Sequence, residues 1–207
     1  MLASVGPWVW REVIIRIRNS RTQWGVVSQF IHWISAALIV GMVVLGVIMV
    51  DLPLGVQKLE LYALHKSIGI VILAFTAARL AWRLSGTRPV LLGPSRPYER
   101  VLAHAVHVSF YIVLIAMPLT GWLMSSAANF SVSVFGLFTL PDLVAPDKAL
   151  GDTFEAAHSW LAWVLIGLVA LHVAGALKHH FVLRNDTLRR TIPGWRSRGQ
   201  EDRISIE

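Results

Sequence analysis

The chain has 207 residues, of which 55% are hydrophobic and only 15% are charged, and its mean hydropathy is +0.60. Soluble domains carry about 25% charged and about 45–50% apolar residues, so this composition excludes an ordinary water-soluble protein and a disordered chain. The net charge is +7, but the basic residues flank long uncharged stretches, which indicates membrane topology and not nucleic-acid binding. The absence of cysteine excludes disulfides, thiolate zinc sites, iron–sulfur clusters and covalently attached c-type haem.

Four stretches are long and apolar enough to cross a bilayer, which takes about 20 residues per helix. The third uncharged stretch is longer than one helix, and its small and polar residues at 125–129 predict where that helix ends. The second stretch carries charges near both ends, which long basic side chains tolerate by reaching the interface. We therefore predict an all-α bundle of four transmembrane helices, over about 22–50, 61–84, 101–129 and 156–177.

The distribution of lysine and arginine predicts the orientation of the bundle. Sixteen of the nineteen basic residues lie on one side, in the N-terminal segment, around the connection between helices two and three, and in the C-terminal tail. The positive-inside rule then places both termini in the cytoplasm. We divide the chain into a cytoplasmic segment 1–22, a membrane domain 23–193 and a cytoplasmic tail 194–207.

Ionisable residues inside a membrane indicate function, and four of the eight histidines are spaced regularly. His158 and His172 are 14 residues apart on the fourth helix, on one face and separated by about 21 Å along the axis. His65, at the start of the second helix, is level with His158, and His32 on the first helix is level with His172. Two stacked, non-covalent b-type haems fit this pattern, and ligation by two histidines favours electron transfer. The simpler alternative is that each histidine hydrogen-bonds to a neighbouring helix.

Other polar residues compete with or support these candidate ligands. His104 and His107 lie at the inner start of the third helix, and either could replace His32 as a ligand of the inner haem. We prefer His32 because it lies inside an apolar run. Arg79 and Arg83, at the inner end of the second helix, are candidates for binding a haem propionate or serve only as topology charges.

Seven blocks of the sequence stand in a fixed order over roughly 23–193: FIHW (30–33), YALHKSIG (62–69), RLAWRL (79–84), HAVH (104–107), MPLTGWLMSSA (117–127), FGLFTLPDLVAPDKAL (135–150) and LHVAGALKHHF (171–181). Together they resemble the bacterial cytochrome b-561 family of small four-helix dihaem membrane proteins. The resemblance implies that His32 and His172 hold an inner haem b, and that His65 and His158 hold an outer one.

The resemblance also implies ubiquinone as the electron partner, with Lys178 and His179 as candidate contacts for the quinone. His179 is seven residues beyond His172, so on a continuous helix it extends the same stripe. A ring nitrogen there could hydrogen-bond a quinone carbonyl or relay its proton, and the alternative is contact with a lipid phosphate. One member type of the family is similar to a superoxide oxidase, which passes electrons from superoxide to ubiquinone.

Three functional hypotheses follow. The first is a lipid-embedded dihaem cytochrome of the bacterial inner membrane that moves electrons between an outer donor, superoxide or a protein, and the ubiquinone pool. Its enzymatic form is a superoxide:ubiquinone oxidoreductase. The second is an anchor subunit that relays electrons for a dehydrogenase or hydrogenase. The third, from another class, is a histidine-based metal transporter. The sequence does not predict the oligomeric state.

Overall fold

The computed structural model describes residues 17, 19–20, 24–86 and 97–193. They contain four long helices, each apolar and long enough to span a membrane, which confirms the predicted all-α four-helix fold. Of the predicted terminal segments, 1–22 is described only at residues 17 and 19–20, and 194–207 lies outside the described residues. The helices are α1 (Val26–Asp51), α2 (Val56–Ser85), α3 (Pro97–Ala127) and α4 (Lys148–Leu177).

Three helices begin earlier than predicted: α3 begins at Pro97, and the two larger differences are in α2 and α4. Helix α2 begins at Val56, so His65 lies more than two turns inside it and not at its start, as the sequence suggested. Helix α4 begins at Lys148, and its first turn is capped by the Asp147 carboxylate, which accepts a hydrogen bond from the Leu150 N–H at 3.0 Å. Both extensions carry charged side chains, which a helix tolerates where it projects beyond the hydrocarbon core.

Helix α3 continues through Pro118 and ends at Ala127, inside the predicted range. A short antiparallel hairpin follows, made of β1 (Ser133–Val134) and β2 (Phe138–Thr139), which the sequence analysis did not predict. The buried Ser67 of α2 holds this hairpin, since its Oγ lies 3.1 Å from the Ser133 carbonyl oxygen and accepts the Phe135 N–H at 3.0 Å.

The buried core forms one layer across the four helices. Its central members are Ile39 on α1, Ile72 on α2, Leu114 on α3 and Leu165 on α4. In each helix, the residues seven positions before and seven positions after the core residue are histidine, arginine or glycine. Seven positions correspond to about two helical turns. Most other large apolar side chains face outward, as expected of a bundle surrounded by lipid. The core layer therefore separates two levels at which polar residues meet.

Candidate functional site

The four predicted ligands form two pairs, one at each level. The ring centroids of His65 and His158 are 6.2 Å apart, and those of His32 and His172 are 6.1 Å apart. All four side chains are partly buried. The structure thus brings together both histidine pairs that the sequence analysis matched by depth.

The separation within each pair is suited to a metal ion between the two rings. An imidazole nitrogen binds a metal at about 2.0–2.1 Å, and the ring centre lies about 1.1 Å behind that nitrogen, so two rings on opposite sides of one ion have centroids roughly 6.3 Å apart. A direct hydrogen bond between the rings would bring the centroids to about 5 Å. The observed 6.1 and 6.2 Å match the first arrangement.

Helix α3 fixes the orientation of His158. The Nδ1 of His158 lies 2.9 Å from the carbonyl oxygen of Met117 and 3.3 Å from the Oγ1 of Thr120. A carbonyl can only accept, so Nδ1 carries the proton and Nε2 keeps a free lone pair for a metal. Gly121 makes room for this ring, because a Cβ there would lie 3.3 Å from its Cε1 and 3.4 Å from its Nδ1.

The partner imidazole, His65, has different surroundings. A Cβ at Gly46 of α1 would lie 3.5 Å from the Cε1 of His65, which is an ordinary van der Waals contact. The Nδ1 of His65 is buried and has no hydrogen-bond partner among the described residues. The outer level therefore consists of two histidines, on α2 and α4, and two glycines, on α1 and α3. The separation of the two rings and the unpartnered Nδ1 of His65 fit a metal group held between the two imidazoles.

The inner level is more polar. The Nη2 of Arg79 lies 3.1 Å from the Nδ1 of His32, and because a guanidinium only donates, that nitrogen accepts. His107 of α3 lies close to His172, with ring centroids 5.5 Å apart, and Phe110 contacts the same ring at 5.5 Å. The 6.1 Å separation of His32 and His172 is closer to the value expected across a metal than the 5.5 Å separation of His107 and His172. His107 remains the alternative to His32 as the partner of His172.

The other candidate residues surround the inner end of the bundle. His104 is exposed on α3, one turn from His107 towards the helix start. The guanidinium of Arg83 lies over the ring of Tyr111, 5.4 Å from its centroid. Lys178 forms an ion pair with Glu99 at 2.8 Å.

His179 lies directly after α4, where the helical course continues but its turns become wider, so its place on the α4 stripe stays a prediction. Helix α4 ends at Leu177, and residues Lys178–Val182 form a wider π-helical turn. The chain then folds back onto α1, where the Gln29 amide donates to the carbonyl of Arg190 at 2.9 Å and the Trp33 indole donates to that of Thr191 at 2.8 Å. The wider turn begins this reversal.

Within the reversed segment, the Nδ2 of Asn185 lies 2.9 Å from the Nδ1 of His179. Neither this contact nor the two hydrogen bonds of Gln29 and Trp33 was predicted, because each depends on how the segment after α4 folds back. Sequence reasoning also missed Met117, Thr120 and Gly121. The 14-residue spacing between His107 and Gly121 was a signal for Gly121 alone, because it equals the spacing between His158 and His172.

Comparison with known proteins identifies the family of the chain. A family model described as prokaryotic cytochrome b561 matches residues 23–194. Cytochrome b561 homolog 2 of Escherichia coli K12 is 38% identical over 177 residues, which cover 84% of this chain and 93% of the relative. A probable superoxide oxidase, CybB, of Yersinia pestis is 33% identical over 130 residues, 63% of this chain and 73% of the relative. Cytochrome b561 homolog 1 of Escherichia coli K12 is 28% identical over 131 residues, 62% of this chain and 73% of the relative.

The family suggested by the sequence blocks is therefore confirmed by a match over most of the chain. The four helices able to span a membrane agree with this family. The chain belongs to the prokaryotic cytochrome b561 family of haem-binding, membrane-embedded electron-transfer proteins.

Proposed function

We propose that the protein holds two b haems, an outer one between His65 and His158 and an inner one between His32 and His172, and transfers electrons from an outer-side donor to ubiquinone. The observation that carries this proposal is the pair of ring separations, 6.2 and 6.1 Å, at two levels of the same bundle. When bound, the haems supply reversible one-electron chemistry at iron. Two histidine ligands for each haem would favour electron transfer over the binding of small ligands.

The residues around each pair have distinct roles in this proposal. At the outer level, the Met117 carbonyl keeps the His158 proton on Nδ1 and leaves Nε2 for the metal. At the inner level, His32 accepts a hydrogen bond from Arg79 at Nδ1, so its proton is on Nε2. If His32 holds the haem through Nε2, its Nδ1 would carry the proton, and the guanidinium of Arg79 would be free to bind a propionate. Arg83 is the second candidate for that pairing.

The apolar layer between the levels supports electron transfer without proton leakage. The two levels are 14 residues apart, which corresponds to about 21 Å along the helices. Midway between them, Ile39, Ile72, Leu114 and Leu165 form the buried core. An apolar layer offers no hydrogen bonds to water or to a hydrated proton, so charge crosses this part of the bundle only as an electron.

For the inner end we propose a quinone site beside His179. Asn185 holds the His179 ring, and a positioned imidazole can hydrogen-bond a quinone carbonyl and deliver a proton on reduction. Lys178 is the second candidate contact, although it already pairs with Glu99. The excess of basic residues at this end supports its cytoplasmic location in the bacterial inner membrane.

For the outer donor we propose superoxide, supported by the printed name of the Yersinia pestis relative. Two superoxide ions would each give one electron and leave as oxygen, and ubiquinone would take both electrons and two protons to become ubiquinol. Lys66 is the basic residue nearest the outer level, and its ammonium donates to the Oγ of Ser125 at 3.1 Å. The protein would then be a superoxide:ubiquinone oxidoreductase.

The experiment uses the purified protein in liposomes that contain ubiquinone, with an enzymatic source of superoxide. We expect haem reduction and one ubiquinol for every two superoxide ions, abolished by superoxide dismutase and by His158→Ala. A relay subunit for a dehydrogenase or hydrogenase would contain haem reducible by dithionite but would form no ubiquinol. A metal transporter would show no Soret band, and in the described residues no three His, Asp or Glu side chains group to hold an ion.

A further inference from the structure

The two imidazoles of the outer level are held unequally. His158 donates from Nδ1 to the Met117 carbonyl at 2.9 Å, with the Thr120 hydroxyl 3.3 Å from the same nitrogen. The Nδ1 of His65 is buried and makes no hydrogen bond to any residue that the structure describes. Gly46 of α1 lies beside the Cε1 of this ring, the carbon bonded to Nδ1, and has no side chain to offer an acceptor.

This difference affects how strongly each ring binds a metal. A ligating imidazole that donates its second N–H to a carbonyl is held in one orientation and is a stronger base, and loss of such a partner weakens metal binding about 10- to 100-fold. If His65 binds through Nε2, its Nδ1 carries a buried proton without an acceptor, which is unfavourable. Movement of the His65 ring away from the metal relieves that penalty, whereas movement of His158 breaks a hydrogen bond.

We infer that His158 is the fixed ligand of the outer haem and that His65 is a displaceable one. The reduced iron at this level would then accept a small neutral ligand, such as carbon monoxide, on the His65 side. The inference rests on the ligand set of the proposed function. It adds a ligand-binding position to a site that two histidines would otherwise close.

The first experiment compares His65→Gly with His158→Gly by haem content and visible spectrum. We expect His65→Gly to keep nearly two haems per chain, with one of them high-spin, able to bind carbon monoxide when reduced and restored to low spin by added imidazole. His158→Gly should lose most of the outer haem, so that the haem content falls towards one per chain. Equal loss or equal retention in the two variants would overturn the inference. A wild-type spectrum in both would instead contradict the proposed ligand set.

The second experiment keeps both histidines and supplies the missing acceptor. In Gly46→Ser, the new hydroxyl can donate to the helix backbone and accept from the Nδ1 of His65, while Gly46→Ala adds the Cβ alone. The Cβ itself fits, since it would lie 3.5 Å from His65 Cε1. We expect carbon monoxide binding by the reduced outer haem to fall about tenfold in the serine variant and to stay near wild type in the alanine variant. Equal binding in both would contradict the inference.

Discussion

Gly121 is the residue of α3 that lies directly against the imidazole of His158. A methyl group at this position would lie 3.3 Å from Cε1 and 3.4 Å from Nδ1 of that ring, closer than carbon atoms at their optimal separation of about 3.5–4.0 Å. In Gly121→Ala the ring must therefore move by a few tenths of an ångström. Because its Nδ1 is already hydrogen-bonded to the Met117 carbonyl at 2.9 Å, the movement disturbs the group that orients the ligand.

Gly121→Ala should weaken binding of the outer haem about tenfold, which corresponds to about 1.4 kcal/mol. Tenfold is the lower end of the effect of disturbing the hydrogen-bond partner of a metal ligand, here the Met117 carbonyl. The inner haem should be unaffected, because its level is 14 residues away along α3. Folding should not suffer, since alanine in place of glycine inside a helix is favourable by roughly 0.5–1 kcal/mol.

The assay titrates haem into the haem-depleted variant and follows the Soret band, while the thermal unfolding of the same preparation reports on the fold. Gly46→Ala is the matched control, because its Cβ would be 3.5 Å from His65 and needs no movement. Equal haem affinity for the Gly121→Ala variant and the wild type would refute the reasoning. Loss of both haems together with a lower melting temperature would also refute it, because the effect would then be global.

Three further predictions concern other parts of the molecule. In a redox titration, Arg79→Gln should lower the reduction potential of the inner haem alone, because a positive charge near the propionate stabilises the reduced form. Arg79→Lys keeps the charge and should restore part of the shift. Equal changes at both haems would contradict this prediction. Asn185→Ala should raise the KM for ubiquinone without changing haem content, because His179 loses its partner; an unchanged KM would remove that histidine from the quinone site. Ser67→Ala should destabilise the hairpin by about 1–3 kcal/mol, seen as faster hydrogen exchange over 133–139, whereas Ser131→Ala, which removes an exposed contact to Asp142, should have little effect.

The number of helices and the depth of the paired histidines could be predicted because both depend on regular repeats. A 14-residue spacing on one helix fixes a face and a height, and His158 and His172 keep that relation in the structure. Helices α1 and α2 run in opposite directions, so His32 of α1 lies at the height of His172 and His65 of α2 lies at the height of His158. The four-helix fold follows equally from the length of the uncharged stretches.

The features that were missed depend on contacts between segments that are distant in sequence. The hairpin after α3 is held by a hydrogen bond between Phe135 and Ser67, 68 residues apart. The π-helical turn at His179 accompanies a chain reversal onto Gln29. The earlier start of α2 is not evident from hydropathy, because charged residues mark the limit of the hydrocarbon core and not the limit of the helix.

The central claim, two haems held by two histidine pairs, is tested most directly by a reduced-minus-oxidised visible spectrum of the purified protein with haem quantified per chain. The account predicts two low-spin b haems per chain. One haem per chain would contradict the two-level arrangement, and no haem after expression with ample haem would contradict the electron-transfer function itself.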